Sequence, residues 1–443
     1  MQNQKFKIML FLLAIGMIAR ANPIVENDSI VKERKNKLDE KPTSIVISGE
    51  LKQRFEIRNG YRTLVPDDTS PSFFINNRVR LNFDFKSKYV DAYISVQDAR
   101  IWGEYGGTNR KGSINLFEGY AVVPIVKGLS TKIGRQRIMY DNQRLFAQND
   151  WRVWARAHDA ARLSYKSEKS EVEGIIAFNQ LSETNFGTSY ISETGEDYKL
   201  LNIFWFKQNF KNGFTLSLIH AGDGFEAITP DKKLKMRYTD GGRIEWQKKK
   251  WYLTTAGYIQ YGKTTADKKI LSWYLQPEIK FTGLKNTTFR LGAEILSGQN
   301  VADNDTAKFN SFVPLYGVAH RFNGYMDQFT RFPADTKNGG LIDPYFYVDY
   351  KLNEKIGFSS NFHYFASAQN LVKSGESLNK TLGFEHDILF NYNPHKIIGL
   401  EIGYSYLLPT ESLEYIKNTT TNKFNQWAYV QLTIKPEFFK FSK

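Results

Sequence analysis

The chain predicts an all-β fold: a single transmembrane antiparallel up-and-down β-barrel of about 18 strands, with short periplasmic turns and long extracellular loops. Three observations lead there. Segments of ten to fifteen residues alternate apolar and polar side chains through most of the 443 residues. The connections between them are short and long by turns. After the N-terminus, no apolar stretch reaches the roughly 20 residues that a membrane-spanning helix needs.

Residues 1–21 read as a secretory signal. Lys5 and Lys7 precede an apolar run from Ile8 to Ile18, and Ala19-Arg20-Ala21 offers a small-x-small cleavage site. Residues 22–43 are charged and poor in apolar side chains, which predicts a disordered periplasmic arm. Residues 44–443 are then the barrel.

The first strand sets the pattern. Ile45, Ile47, Leu51, Phe55 and Ile57 fall on odd positions, and Ser48, Glu50, Lys52, Arg54, Glu56 and Arg58 on even ones. A strand sends successive side chains to opposite faces, so one face is greasy and the other charged. A half-buried sandwich strand and a barrel wall with lipid outside and water inside both fit. Further alternating segments run over 72–87, 91–102, 114–125, 129–139, 157–166, 171–181, 197–208, 213–222, 235–247, 250–262, 270–281, 286–297, 341–351, 355–366, 380–392, 397–408 and 424–435.

The connections decide between the two folds. Tight links such as Ser87–Val90, Val126–Gly128 and Lys248–Lys249 alternate with long ones such as 59–71, 140–156 and 298–340. Periplasmic turns and extracellular loops produce that order, and a sandwich has no reason to keep it. An even strand count puts both termini in the periplasm. The last strand precedes Phe438, Phe439 and Phe441, an aromatic-rich end that suits barrel assembly machinery as well as an interfacial belt.

Composition agrees with contact to outer-membrane lipids outside and water inside. Aromatics make up 15% and mean hydropathy is −0.46, as expected when half of each strand faces water. The formal charge is +14; losing Lys5, Lys7 and Arg20 with the signal lowers it by three, to +11. A basic lumen draws anions. Absence of cysteine excludes disulfides and thiol lipidation.

Turning the apolar lane outward gives a lumen list. Arg54, Arg78, Arg80, Arg243 and Arg290 point inward, among Glu50, Glu56, Asp84, Glu245, Glu278 and Glu294. Such a lining reads either as ion pairs that stiffen the wall or as guanidinium forks for carboxylate or phosphate. Three positions resist the scheme. Asp240 falls outward beside Gly241-Gly242, which suggests a bulge. Pro277 removes a ladder donor. Around Gly134 the alternation predicts that the polar lane changes sides.

Several words in the chain then become specific: IGRQRIMYDNQRL (Ile133–Leu145), DWRVWARAHDAARLSY (Asp150–Tyr165) and FVPLYGVAHRFNGYMDQF (Phe312–Phe329). With VQDARIWGE (Val96–Glu104) and LFEGYAVVP (Leu116–Pro124), they resemble the alginate export family of outer-membrane porins. That resemblance implies an eighteen-stranded barrel with an arginine-lined constriction for a polyuronate. It adds Arg135, Arg137, Arg144, Arg156 and Arg162 as pore-lining cations. His158 departs from the aromatic more usual before that aspartate.

The expected function is passive passage of an anionic polysaccharide or oligosaccharide, alginate-like, through an arginine-lined lumen. A general or anion-selective diffusion porin for small solutes is the alternative, and its discriminator is whether 298–340 folds into the lumen. An outer-membrane barrel hydrolase is the lesser rival, because the six histidines show no serine or aspartate at a diagnostic spacing. Neither an enzyme, a metal site, a cofactor nor a nucleic-acid partner is expected.

Overall fold

The computed structural model describes residues 42–104, 114–190, 197–227, 233–300 and 307–443. The expected signal and nearly all of the expected arm lie outside the described residues. Eighteen strands form one closed antiparallel barrel. They are β1 (Ser44–Asn59), β2 (Ser72–Lys86), β3 (Asp91–Ile101), β4 (Asn115–Val126), β5 (Leu129–Gln136), β6 (His158–Lys166), β7 (Ser170–Phe178), β8 (Leu200–Asn209) and β9 (Phe214–Glu226). The second half comprises β10 (Leu234–Lys248), β11 (Trp251–Lys263), β12 (Lys269–Leu284), β13 (Thr287–Leu296), β14 (Leu341–Lys351), β15 (Ile356–Ala366), β16 (Thr381–His395), β17 (Ile398–Pro409) and β18 (Asn425–Ile434).

Each strand pairs with its sequence neighbours, and β18 closes on β1 with Leu51 opposite Ile434 and Phe55 opposite Val430. After Pro436 the chain rejoins β1 as Glu437–Ser442, pairing Ile45 with Phe441. Closure leaves no sheet edge, which a strand-built membrane protein requires. The short turns and both described ends share the periplasmic side, and the long connections share the other.

Burial follows the period of two. Along β12, Ile270, Ser272, Tyr274 and Gln276 are buried, while Leu271, Trp273 and Leu275 are exposed on the outer face. A one-residue slip would put the polar lane against lipid. There, a Lys or Arg costs about 2–4 kcal/mol at the bilayer midplane. Register is therefore tightly specified.

The three difficult positions resolve. Pairing runs through Asp240–Arg243 on both sides without a shift, so no bulge exists. Asp240 stays on the outer face, 2.6 Å from His220 Nδ1. Gly241 is required because a Cβ there would meet the Gly257 carbonyl oxygen at 2.1 Å. Pro277 turns its missing donor toward β13, where the pairing jumps from Leu275–Ile295 to Glu278–Gly292. β5 pairs β6 without a shift from Leu129 to Gln136, so the lane does not change sides at Gly134.

Between the walls the core comes from loops. Phe146 of the connection 137–157 is fully buried, as are Phe312, Tyr316 and Phe329 of the connection 297–340. The two connections are joined by a parallel bridge, Phe146 to Tyr316. The described residues of segment 297–340 thus fold into the lumen and narrow it. Beyond the expected strands, and besides Glu437–Ser442 and a 3-10 turn at Lys211–Gly213, the long connections carry a hairpin of Leu371–Lys373 with Glu376–Leu378 and a short helix over Glu411–Lys417.

Candidate functional site

Arginines on β1 and β2 hold the first inserted loop. Arg78, almost fully buried, donates from Nε to Glu50 Oε1 at 2.8 Å. Its Nη1 reaches the carbonyl oxygens of Asp150, Arg152 and Val153 at 3.3–3.4 Å. The Asp150 carboxylate receives Lys52 Nζ at 3.2 Å, Arg78 Nη2 at 3.1 Å and Arg80 Nη1 at 3.0 Å. Burial alone would raise the Asp150 carboxyl, but Lys52, Arg78 and Arg80 hold it well below the usual carboxylate range. Arg54 donates to the Trp151 carbonyl at 2.9 Å and lies 4.0 Å over its ring.

The opposite wall uses carboxylates. Arg144, fully buried, meets Glu294 Oε2 of β13 at 2.7 Å, Asn323 Oδ1 at 2.7 Å and the Val318 carbonyl at 3.1 Å. Glu385 and Asp387 of β16 accept the backbone N–H groups of Met326 and Tyr325 at 2.7 and 3.3 Å. One guanidinium therefore ties both loops to the acidic wall. Breaking a buried pair of this kind strands a charge, at a cost of about 3–5 kcal/mol.

Where the loops meet, Trp151 stacks on His320 with centroids 4.0 Å apart and planes 7° from parallel. His320 Nδ1 lies 2.8 Å from Asp327 Oδ1, and Tyr61 donates its hydroxyl to the same carboxylate. Burial pushes Asp327 up, yet His320, Tyr61 and Arg62 keep it below its ordinary value. The stack and Asp327 line a gap of about 30 Å³ that shares Asn149, Arg152, Gly317, Ala319 and Thr330 with an extracellular vestibule of about 540 Å³. The vestibule is lined by Arg152, Arg156, Arg237, Lys263 and Arg331, together with the buried Arg144, and by Phe225, Tyr316 and Phe332. Among the described residues no Asp or Glu lines it. Arg156 lies 5.4 Å over the Tyr316 ring and has no ion pair with a described residue.

On the periplasmic side a second cavity of about 420 Å³ is lined by both signs: Glu50, Glu118 and Glu437 with Arg80, Arg137 and Lys435. Arg137 pairs Glu118 at 2.7 Å.

The ten arginines expected to line a pore divide accordingly. Arg54, Arg78 and Arg80 face inward but clamp loop 137–157. Arg144 sits in the loop core, and Arg156 reaches the vestibule. Arg162 pairs Glu173 at 3.5 Å and donates to the Arg137 carbonyl at 3.1 Å. Arg243 bonds Glu245 at 2.6 Å and Tyr252 at 3.1 Å, and Arg290 faces Glu278 at 3.9 Å. Arg135 corrects the expectation. It shares the outer lane with Ile133, opposite Lys132 and Gln136, and pairs Asp159 at 2.8 Å. Arg237 is inward as its lane alternation in the tenth strand predicts, whereas Arg152, Lys263 and Arg331 were absent from the expected set, although Arg152 lies in the Asp150 word.

Ser360 Oγ lies 2.8 Å from His386 Nε2, a contact that sequence spacing did not announce. Both lie on the outer face, where His386 stacks on Phe362 at 4.3 Å. Among the described residues no carboxylate is hydrogen-bonded to His386 to orient its ring, as an activated serine needs. Among the described residues no cluster of three or more His, Asp or Glu is arranged to hold a metal.

The chain has the eighteen-strand porin fold. OccAB1 of Acinetobacter baumannii superposes with a TM-score of 0.60 at 9% identity, over 91% of this chain and 100% of that one. A BenF-like porin from Pseudomonas fluorescens Pf-5 gives 0.59 at 11% identity, over 89% and 99%. OpdK of Pseudomonas aeruginosa, in a structure with vanillate, gives 0.56 at 12% identity over the same shares. At such identity the likeness establishes the fold alone. No family model matches the sequence, and no curated protein does; membership of the alginate export family is therefore not established. The closed barrel with its apolar outer lane places the protein in the outer membrane.

Proposed function

We propose that the protein is a passive outer-membrane channel for small anionic solutes, those carrying carboxylates above all. The observation that carries this is the vestibule: six cationic side chains, the buried Arg144 among them, and four aromatic rings, Phe309 included, converge on it, and no carboxylate of a described residue lines it. Arg156, without a counter-ion among the described residues, is the first cation that an entering carboxylate would pair. Guanidinium forks match carboxylate oxygens, and the neighbouring rings supply apolar contact for a carbon skeleton.

Short oligouronates share this chemistry, so an alginate-like cargo fits in fragments. A threading polymer fits less well, because two inserted loops meet at Trp151 and His320. The porin neighbours support a channel in preference to an enzyme, and vanillate joins a carboxylate to an aromatic ring.

Planar-bilayer recording of the purified chain tests the reading. Anion preference and concentration-dependent block by vanillate or a uronate trimer are expected, with neutral trisaccharide inert. Cation preference, or equal block by the neutral sugar, would refute it.

A further inference from the structure

Outside the lumen the short turns repeat one residue. Lys88, Lys127, Lys169 and Lys211 mark the first four, and Lys249 with Lys250, Lys285, Lys355 and Lys396 the other four. No arginine occurs in any of the eight, and their carboxylates are Glu168 and Glu354. The long connections, in contrast, mix both signs and carry arginine freely. Lys127, Lys169, Lys211, Lys249, Lys285 and Lys396 are all exposed, and none forms an ion pair with a described residue.

Turns recur every second strand, so with strands about 4.8 Å apart they stand roughly 10 Å apart around the rim. That is close to the Debye length of about 8 Å at physiological salt, so the charges add into one positive ring. Beside the turns lie exposed aromatics on the outer face: Tyr89, Tyr165, Phe210, Trp251 and Tyr350. Aromatic belts of this kind sit at headgroup depth. A lysine at that level lays its methylenes along apolar surface and extends a compact, mobile charge outward. Lysine meets such a diffuse layer of phosphates as a point charge, whereas the lumen uses arginine, whose fork needs a fixed partner.

We infer that the short-turn rim is a binding surface for anionic phospholipid headgroups of the periplasmic leaflet. It recruits them as an annulus through phosphate charge, without a defined pocket. The inference is independent of what passes through the lumen.

The test reconstitutes the full-length mature chain in nanodiscs of equimolar phosphatidylglycerol and phosphatidylethanolamine. Native mass spectrometry then reads the lipids that stay bound after gentle release. The expected result is about threefold enrichment of phosphatidylglycerol, falling toward unity in half-molar salt. A variant with K127Q, K169Q, K211Q, K249Q, K285Q and K396Q should lose the enrichment. A second variant, carrying K233Q, K268Q, K373Q and K423Q on the long connections, should keep it. Both must retain heat-modifiable migration as folded barrels; should the sixfold variant fail to fold, K127Q with K211Q alone should lower the ratio partway. Equal enrichment in every variant would overturn the proposal. So would unchanged lipid ratios with loss of binding only to soluble peptidoglycan fragments, which would assign the ring to the cell wall.

Discussion

The extracellular vestibule and the periplasmic cavity, on either side of the level of the Trp151–His320 stack, are lined by six cations and three, and differ above all in what accompanies them. Below the stack, Glu50, Glu118 and Glu437 share the surface with Arg80, Arg137 and Lys435, so the field there is largely cancelled. Above it, the carboxylates that partner Arg237, Lys263 and Arg331 are Asp223, Asp267 and Asp335, and none of these lines the cavity. The number of arginines therefore does not by itself set the field of a lumen. Which partner of each pair faces the water decides whether an anion is attracted.

Four measurements break or sharpen that contrast. The largest effect is expected from R144M, which leaves Glu294 buried without its cation. Loop 297–340 should lose about 3–5 kcal/mol of docking, read as faster proteolysis within that segment. Wild-type cleavage rates would show that Arg144 is not the tie between the loops.

Next is D150N, which removes the carboxylate shared by Lys52, Arg78 and Arg80. Release of loop 137–157 should become easier by about 2 kcal/mol, visible as protease access and larger open-channel fluctuations. The pH dependence follows in sign. Because those cations depress Asp150 when folded, its contribution is complete above the unfolded value of about 3.9 and fades only as pH falls through the lower folded value. Wild-type conductance fluctuations should thus stay constant from pH 7 to about pH 4. An increase already at pH 5.5 would contradict the assignment.

R156Q acts on the upper cavity alone. Block by a uronate trimer should weaken about tenfold, equivalent to about 1.4 kcal/mol, with thermal stability unchanged. If block is retained, the unpaired guanidinium is not the anion's first contact.

The smallest effect belongs to R135Q. Arg135 pairs Asp159 on the outer lane, so ion selectivity should not move. A shifted reversal potential would return this residue to the pore.

Strand limits were legible almost to the residue: 341–351 was expected and Leu341–Lys351 is observed, and elsewhere most ends differ by one to three residues. Alternation is a local property, and lipid outside with water inside enforces it at every position. Where the local reading went astray, tertiary facts intervened. Glycine beside Asp240 suggested a bulge, but the polar pair His220–Asp240 lies within an unbroken ladder. Arg135 looked like a lumen cation because its word is rich in arginine, yet parity with Ile133 sends it outward.

The candidate site was legible only in part. Arg156 was named through the Asp150–Tyr165 word, whereas Arg331, with no lane to assign it, was not. A loop residue's position depends on how its segment folds back, and no periodicity encodes that.

By itself, then, the sequence determined a closed barrel, its strand order, its orientation and the sign of its charge, because each follows from near-neighbour chemistry repeated along the chain. Only the tertiary structure decided that 137–157 and 297–340 meet inside, that Arg144 binds them to Glu294, and that Arg156 reaches the vestibule with no ion pair to a described residue. Those outcomes join residues more than a hundred positions apart, where pairing depends on which buried charges find partners once the wall has closed.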